Sequence, residues 1–214
     1  MNVIQTLAIS ALPVIFAITL HEAAHGYAAR HFGDPTAWKL GRISLNPLRH
    51  VDMVGTLVVP AVILLLSSGG LLFGWAKPVP VNFGQLRRPK QDMLWVAAAG
   101  PAANLLMALG WAMLLKFAVG MPVHDYSVAM KEMARVGISI NGVLMILNLL
   151  PIPPLDGGRI TVSLLPRTLA WKYARIERFG LPIILALLFL GVLDIVLYPL
   201  LQIFNGLIRL LFGF

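Results

Sequence analysis

Apolar residues in this chain run in long blocks separated by short polar connectors. The first block extends from Val3 to Leu20 and continues as a helical pattern to about Phe32. The second is Met53 to Phe73, the third Met93 to Val119, the fourth Val136 to Leu150 and the fifth Leu181 to Phe214. A helix needs about 20 consecutive apolar residues to cross a bilayer. The first, third and fifth blocks meet that length. The fourth is shorter and extends into Pro151–Leu155. The fifth has room for a span and a second short segment, with Pro199 as the expected break. The second contains Gly55, Pro60 and the run Ser67-Ser68-Gly69-Gly70, which predicts that it turns back on itself. The pattern predicts an all-α polytopic membrane protein in one domain. Its motif-bearing core covers about residues 1–178, followed by C-terminal hydrophobic segments at 180–214.

Composition sharpens this reading. Of the 214 residues, 58% are hydrophobic and 12% charged, and the mean hydropathy is +0.83. A soluble domain carries about 25% charged residues, so a water-soluble enzyme and a disordered chain are both excluded. The net charge of +8 could suggest a nucleic-acid partner. Most of the 17 basic residues instead sit in the connectors between apolar blocks, as the positive-inside rule produces, and Arg209 stands alone. No Lys or Arg precedes Arg30, so the first block lacks the charged start of a signal peptide and reads as a retained span. No internal repeat or low-complexity tract is evident. With no cysteine, a metal would have to be held by His, Asp or Glu.

Acidic residues inside apolar blocks need a reason, and Glu22, Asp156 and Asp194 are such residues. Glu22 belongs to His21-Glu22-Ala23-Ala24-His25, an H-E-x-x-H motif. On a helix, His21 and His25 face the same way and can reach one zinc ion, with Glu22 beside them as a general base. The alternative is a histidine pair at the membrane interface with a snorkelling glutamate. Zinc needs a third ligand and an open position. Asp156 is the best candidate, in the segment Asn148-Leu-Leu-Pro-Ile-Pro-Pro-Leu-Asp156-Gly157-Gly158. The competing reading of Asp156 is an N-cap for the following helix.

His21–His25, Ala99-Gly100-Pro101-x-x-Asn104 and Asn148–Gly158 occur in an order that resembles the site-2 protease family of intramembrane zinc metalloproteases. The resemblance spans about Leu20 to Arg159. It implies one Zn2+ per chain held by His21, His25 and Asp156, with Glu22 as the catalytic base. It places Asn148 near the substrate backbone, and Asn104 follows the Gly-Pro pair of the adjoining core helix. It implies cleavage within or near transmembrane segments of membrane proteins, in regulated intramembrane proteolysis or clearance of signal-peptide remnants. It also implies a membrane-associated β-hairpin between the first two core spans. The chain departs from the larger relatives in that no PDZ or CBS module accompanies the motifs, and the resemblance therefore does not extend to substrate selection or regulation.

The remaining roles stay open between alternatives at this point. Asn148 could hydrogen-bond the oxyanion or the substrate strand, or make an ordinary interhelical bond. Asn104 is a candidate substrate contact or a packing residue. The segment from Ala76 to Phe83 reads as an edge strand or a connecting loop. As an edge, its Val79 and Val81 would pair with unwound substrate. His31, His50 and His124 read as surface or interface histidines. Trp75, Trp95 and Trp171 fit an interfacial belt.

Depth gives a topological expectation. From Val3, about 1.5 Å per residue brings His21 roughly 27 Å along its helix, near the far edge of a core about 30 Å thick. Asp156 reaches the same side only if the second block is re-entrant. With that topology, 13 of the 17 basic residues share one side, which would be the cytoplasm, with the N-terminus outside. The expected location is a bacterial or archaeal plasma membrane, with the active site near its cytoplasmic face. The expected partners are the bilayer and a protein substrate with a membrane span. Two other functions fit the metal residues. One is a metal-binding transporter or sensor, for which internal repeats would be expected. The other is a protease-like scaffold that does not cut, which would have no need of Glu22.

Overall fold

The computed structural model describes residues 3–66 and 74–214. Helix α1 (Val3–His31) is followed by the short α2 (Thr36–Lys39), a 3-10 turn at Pro47–His50 and a π-helical stretch at Met53–Val58. That stretch runs directly into α3 (Val59–Leu66). Beyond residues 74–88, which hold a 3-10 turn at Phe83–Gln85, come α4 (Pro89–Val119), α5 (Asp125–Leu149) and α6 (Asp156–Leu164). The chain ends with α7 (Arg167–Ala174), α8 (Gly180–Phe189) and α9 (Val192–Phe212). Among the described residues, four helices are long and apolar enough to cross a membrane: α1 from Ala8, α4, α5 and α9.

Helices α1, α4 and α5 pack against one another, α6 packs on α4, and α9 lies against α5 and α4. Lipid is as apolar as leucine, so such helices associate through close packing of small residues rather than by leaving water. The core follows that rule. Ala108 and Ala112 of α4 meet Ala134 and Ile138 of α5, and Phe204 and Ile208 of α9 close the cluster. Gly137 leaves the space that the Trp111 indole fills. Helix α5 begins well before its apolar block, because the His124 N–H bonds Ser127 Oγ at 3.0 Å and a Glu132–Arg135 pair supports the polar first turns.

Two expectations are corrected. The break in the fifth apolar block is not at Pro199, which sits inside α9. The chain breaks at Gly191, whose φ of +70° is a left-handed conformation that glycine adopts without the Cβ penalty. The hairpin between the first two spans also has no strand among the described residues. Pro78 and Pro80 supply no N–H, and the neighbouring backbone groups are used elsewhere. Lys77 N–H donates to His50 O (2.8 Å), Val79 N–H to Glu22 Oε2 (2.8 Å) and Asn82 N–H to Asp34 Oδ2 (2.6 Å). Arg42 Nη2 donates to the carbonyls of Lys77 and Pro78. The segment is irregular and tied to the His50 carbonyl and the Glu22 and Asp34 carboxylates, so no ladder forms.

The two ends of the second block lie side by side. Trp75 N–H donates to Gly55 O at 3.0 Å, and Thr56 Oγ1 donates to Trp75 O at 2.9 Å. The predicted turn at Ser67–Gly70 lies outside the described residues.

Candidate metal centre and active site

The site forms where α1, α4 and the start of α6 meet. His21 and His25 are one helical turn apart on α1 and both are buried. Asp156, the first residue of α6, is buried and turned toward them rather than capping its own helix. Its Oδ2 lies 3.3 Å from His21 Nε2 and 3.2 Å from His25 Nε2, and the two Nε2 atoms are 3.1 Å apart.

The other ring nitrogens define what these three atoms are. His25 Nδ1 donates to Val96 O at 2.8 Å, and a carbonyl can only accept. His21 Nδ1 donates to Asn104 Oδ1 at 2.6 Å. With each proton on Nδ1, both Nε2 atoms present lone pairs, as does Asp156 Oδ2, which has no satisfactory hydrogen-bond donor of its own. Three buried lone pairs facing one point are repulsive unless a cation lies between them. A tetrahedral zinc site with bonds of about 2.0–2.1 Å has ligand–ligand edges of about 3.3–3.4 Å. The separations here are within a few tenths of an ångström of that, so the donor set fits zinc. The Nδ1 contacts also give both histidines the outer hydrogen bond that orients a metal ligand.

Without a metal, burial alone would raise the Asp156 carboxyl. Once a histidine of the pair carries a proton on Nε2, its hydrogen bond and charge outweigh burial and hold the carboxyl well below the usual carboxylate range.

Gly100 admits this arrangement. A Cβ at that position would overlap His25 Nε2 and sit 2.6 Å from His21 Cε1. The α4 backbone therefore runs directly behind the ligand atoms. On the other side, Glu22 is partly exposed next to His21, and its Oε2 accepts the Val79 N–H. Val79 is buried, and Val81 is partly buried against Ala29, Leu86 and Val96.

The remaining sequence candidates fall in different places. Asn104 is fully buried, and its amide nitrogen donates to Ala17 O (3.2 Å) and Asn141 Oδ1 (2.9 Å). All its polar atoms are engaged inside the protein, which replaces the expected substrate contact with a place behind His21. Asn148 is partly buried on α5, and its Nδ2 donates to Leu144 O of the same helix at 3.0 Å. His50 is not a surface residue. It is 3% exposed, with Nε2 donating to Ser44 O. Asp194 lies exposed in the first turn of α9.

Three contributors escaped sequence reasoning. Val96 acts through its carbonyl, which side-chain identity does not reveal. Asn141 carried a signal, an amide in the middle of an apolar helix. Asp34, fully buried after α1, accepts from Thr36 and Asn82 and so fastens the irregular segment below Glu22. It lies in a connector, where an acidic residue raises no question.

The comparisons with known proteins agree with this geometry. A family model described as Peptidase family M50 matches residues 119–191, which include Asn148 and Asp156. A protein of Bacillus subtilis (strain 168) named "Putative zinc metalloprotease YwhC" is 39% identical over 194 residues, 89% of this chain and 84% of that protein. Two mycobacterial proteins share the name "Putative zinc metalloprotease Rip2". The Mycolicibacterium smegmatis one is 32% identical over 175 residues, covering 81% of this chain and 64% of its own length. The Mycobacterium tuberculosis (strain Erdman) one is 32% identical over 150 residues, covering 67% and 52%. No solved structure matches the chain.

Proposed function

Since the chain belongs to peptidase family M50, we propose that it is a site-2 type zinc metalloendopeptidase, hydrolysing peptide bonds within or beside the membrane-spanning segments of other proteins. The observation that carries this reading is the convergence of His21 Nε2, His25 Nε2 and Asp156 Oδ2 at 3.1–3.3 Å, with Glu22 adjacent to His21 on α1.

In this reading His21, His25 and Asp156 hold one zinc ion. When bound, zinc supplies a Lewis acid for the scissile carbonyl and makes water a nucleophile near neutral pH. Glu22 takes the proton of the attacking water and delivers it to the leaving amine. The Val79 N–H keeps the Glu22 carboxylate oriented beside the histidines. Asn148 turns its amide from the Leu144 carbonyl to the substrate, where it stabilises the oxyanion or holds the substrate backbone.

A transmembrane helix hides its peptide bonds, so the substrate must unwind before cleavage. Val79 and Val81 lie in a strand-free segment that the Val79 N–H ties to Glu22, which supports a substrate strand laid along it. The second apolar block is re-entrant in this reading, and the Gly55–Trp75 pairing at its two ends supports that. The protein then sits in a prokaryotic plasma membrane with its site toward the cytoplasm, where the positive-inside rule puts most of its basic connectors.

Purified protein in detergent, offered a single-span substrate, tests the reading. Wild type should cut, a zinc chelator should abolish cutting, and Glu22→Gln should be inactive while still binding zinc. Cleavage that survives both the chelator and Glu22→Gln would refute it.

A further inference from the structure

Behind His21, Asn104 and Asn141 form a chain of amides buried between the three core helices. Both residues are 0% exposed. The polarity of this chain is set from its far end. Asn141 Nδ2 faces Gly137 O at 2.8 Å. A carbonyl accepts only, so the nitrogen of Asn141 must lie on that side and its oxygen on the other. That oxygen receives Asn104 Nδ2 at 2.9 Å, and Ala17 O also takes Asn104 Nδ2, at 3.2 Å. The oxygen of Asn104 is therefore the atom that meets His21. An oxygen at 2.6 Å can only accept there, so the proton of His21 belongs on Nδ1 and the lone pair on Nε2.

We infer that Asn104 and Asn141 are positioning residues that lock His21 into its metal-binding tautomer, carrying a polarity defined by the backbone carbonyls of Gly137 and Ala17. The inference rests on the zinc reading above and extends it to two helices that supply no ligand. His25 obtains the same outcome directly from Val96 O, so the two histidines are oriented by different devices. The design spans α1, α4 and α5. Any shift of α5 against α4 that breaks the Asn104–Asn141 bond loosens the tautomer of a ligand on α1. A buried amide group left without a partner would be costly in this setting, and each amide oxygen and nitrogen of the chain has one.

The test uses metal-free full-length protein in detergent, with zinc titrated against a chromophoric chelator. Nitrogen-15 histidine NMR of the same samples reads the His21 tautomer. Losing such an outer partner typically weakens metal binding about 10- to 100-fold. Asn104→Leu should fall in that range. Asn141→Leu should lie near its lower end, because Ala17 O still holds Asn104. Both should lose the pure Nδ1–H signature of His21. Asn141→Asp, in its protonated form, keeps an O–H donor toward Gly137 O and an acceptor oxygen facing Asn104, and should retain wild-type zinc affinity and tautomer. If Asn141→Leu fails to fold, Asn141→Ser replaces it, since its hydroxyl is too short to reach Asn104. Folded variants with wild-type affinity and tautomer would overturn the inference alone. Wild type that binds no zinc would overturn the metal reading, and this inference with it.

Discussion

Nε2 of His21 and Oδ2 of Asp156 lie 3.3 Å apart, joining helix α1 to the first residue of α6. Neither atom has a proton to offer when the histidine is neutral, so the contact needs a cation. Zinc is one such cation, and a proton taken up by a histidine is the other. Zinc and protons should therefore compete for the same place. Asp156→Ala removes one of three protein ligands and is expected to lower zinc content from one per chain to a small fraction. Metal analysis after dialysis checks this. A full complement in Asp156→Ala would mean that another side chain completes the site.

The metal-free protein should show Asp156 in its acid stability. Burial acts to raise this carboxyl, but His21 and His25 hold it below its ordinary value. A depressed carboxylate contributes stability that is fully present above its unfolded value of about 3.9 and is lost as pH falls through the folded value. The melting temperature of metal-free wild type should thus drop on acidification below about pH 5. Asp156→Asn lacks this group, and its melting temperature should fall less steeply over the same range. Parallel acid slopes for the two proteins would count against the assignment.

Gly100 makes a sharper prediction about geometry. Alanine is the better helix former by about 1 kcal/mol, so Gly100→Ala would be stabilising on propensity alone. Its Cβ, however, would overlap the coordinating face of both histidines. The expected result is a folded helical protein with zinc affinity reduced at least tenfold and cleavage lost in proportion. Circular dichroism with a zinc titration checks both halves. Unchanged zinc affinity would mean that α4 can step back from α1 without cost.

Asp34 supports the segment that meets the Glu22 carboxylate. Its buried carboxylate accepts from Thr36 and Asn82. Asp34→Ala leaves those donors without their acceptor, at about 1–3 kcal/mol for the buried ones. Amide exchange at Val79 and Asn82 should quicken in Asp34→Ala, while exchange in the middle of α4 should not. Cleavage should fall with zinc content intact, because no ligand depends on Asp34. Loss of zinc in this variant would show that the segment is part of the metal site's support.

These cases also show what was legible from residue order. The long apolar helices and the grouping of His21, His25 and Asp156 were readable because apolar blocks, and acidic or histidine residues within them, are conspicuous, and H-E-x-x-H spacing puts both histidines on one face of a helix. The hairpin was misread because alternation was visible, whereas the side-chain acceptors Glu22 and Asp34 that consume its N–H groups come from elsewhere in the chain. Pro199 attracted the break because proline is the stronger sequence signal. Gly191 made it, through a backbone angle that no residue pattern displays. The Val96 carbonyl was invisible for the same reason, since any residue brings one.

Topology can be tested directly because the chain has no cysteine. Single cysteines at the exposed positions Lys39, Gln85, Thr168 and Val123 can be labelled from either side of a sealed membrane. The α1 C-terminus, the α4 N-terminus and the α5 C-terminus must share one side, because the Val79 N–H reaches Glu22 and Asp156 reaches both histidines. Lys39→Cys, Gln85→Cys and Thr168→Cys should therefore react from the same side, and Val123→Cys from the other. Under the proposed function, the positive-inside rule leads us to expect labelling of that shared side from the cytoplasm. A split between Lys39 and Gln85 would require the second apolar block to cross completely. That would pull the Val79 segment away from the Glu22 carboxylate, so this result would defeat the re-entrant reading and the closeness of that segment to the base together.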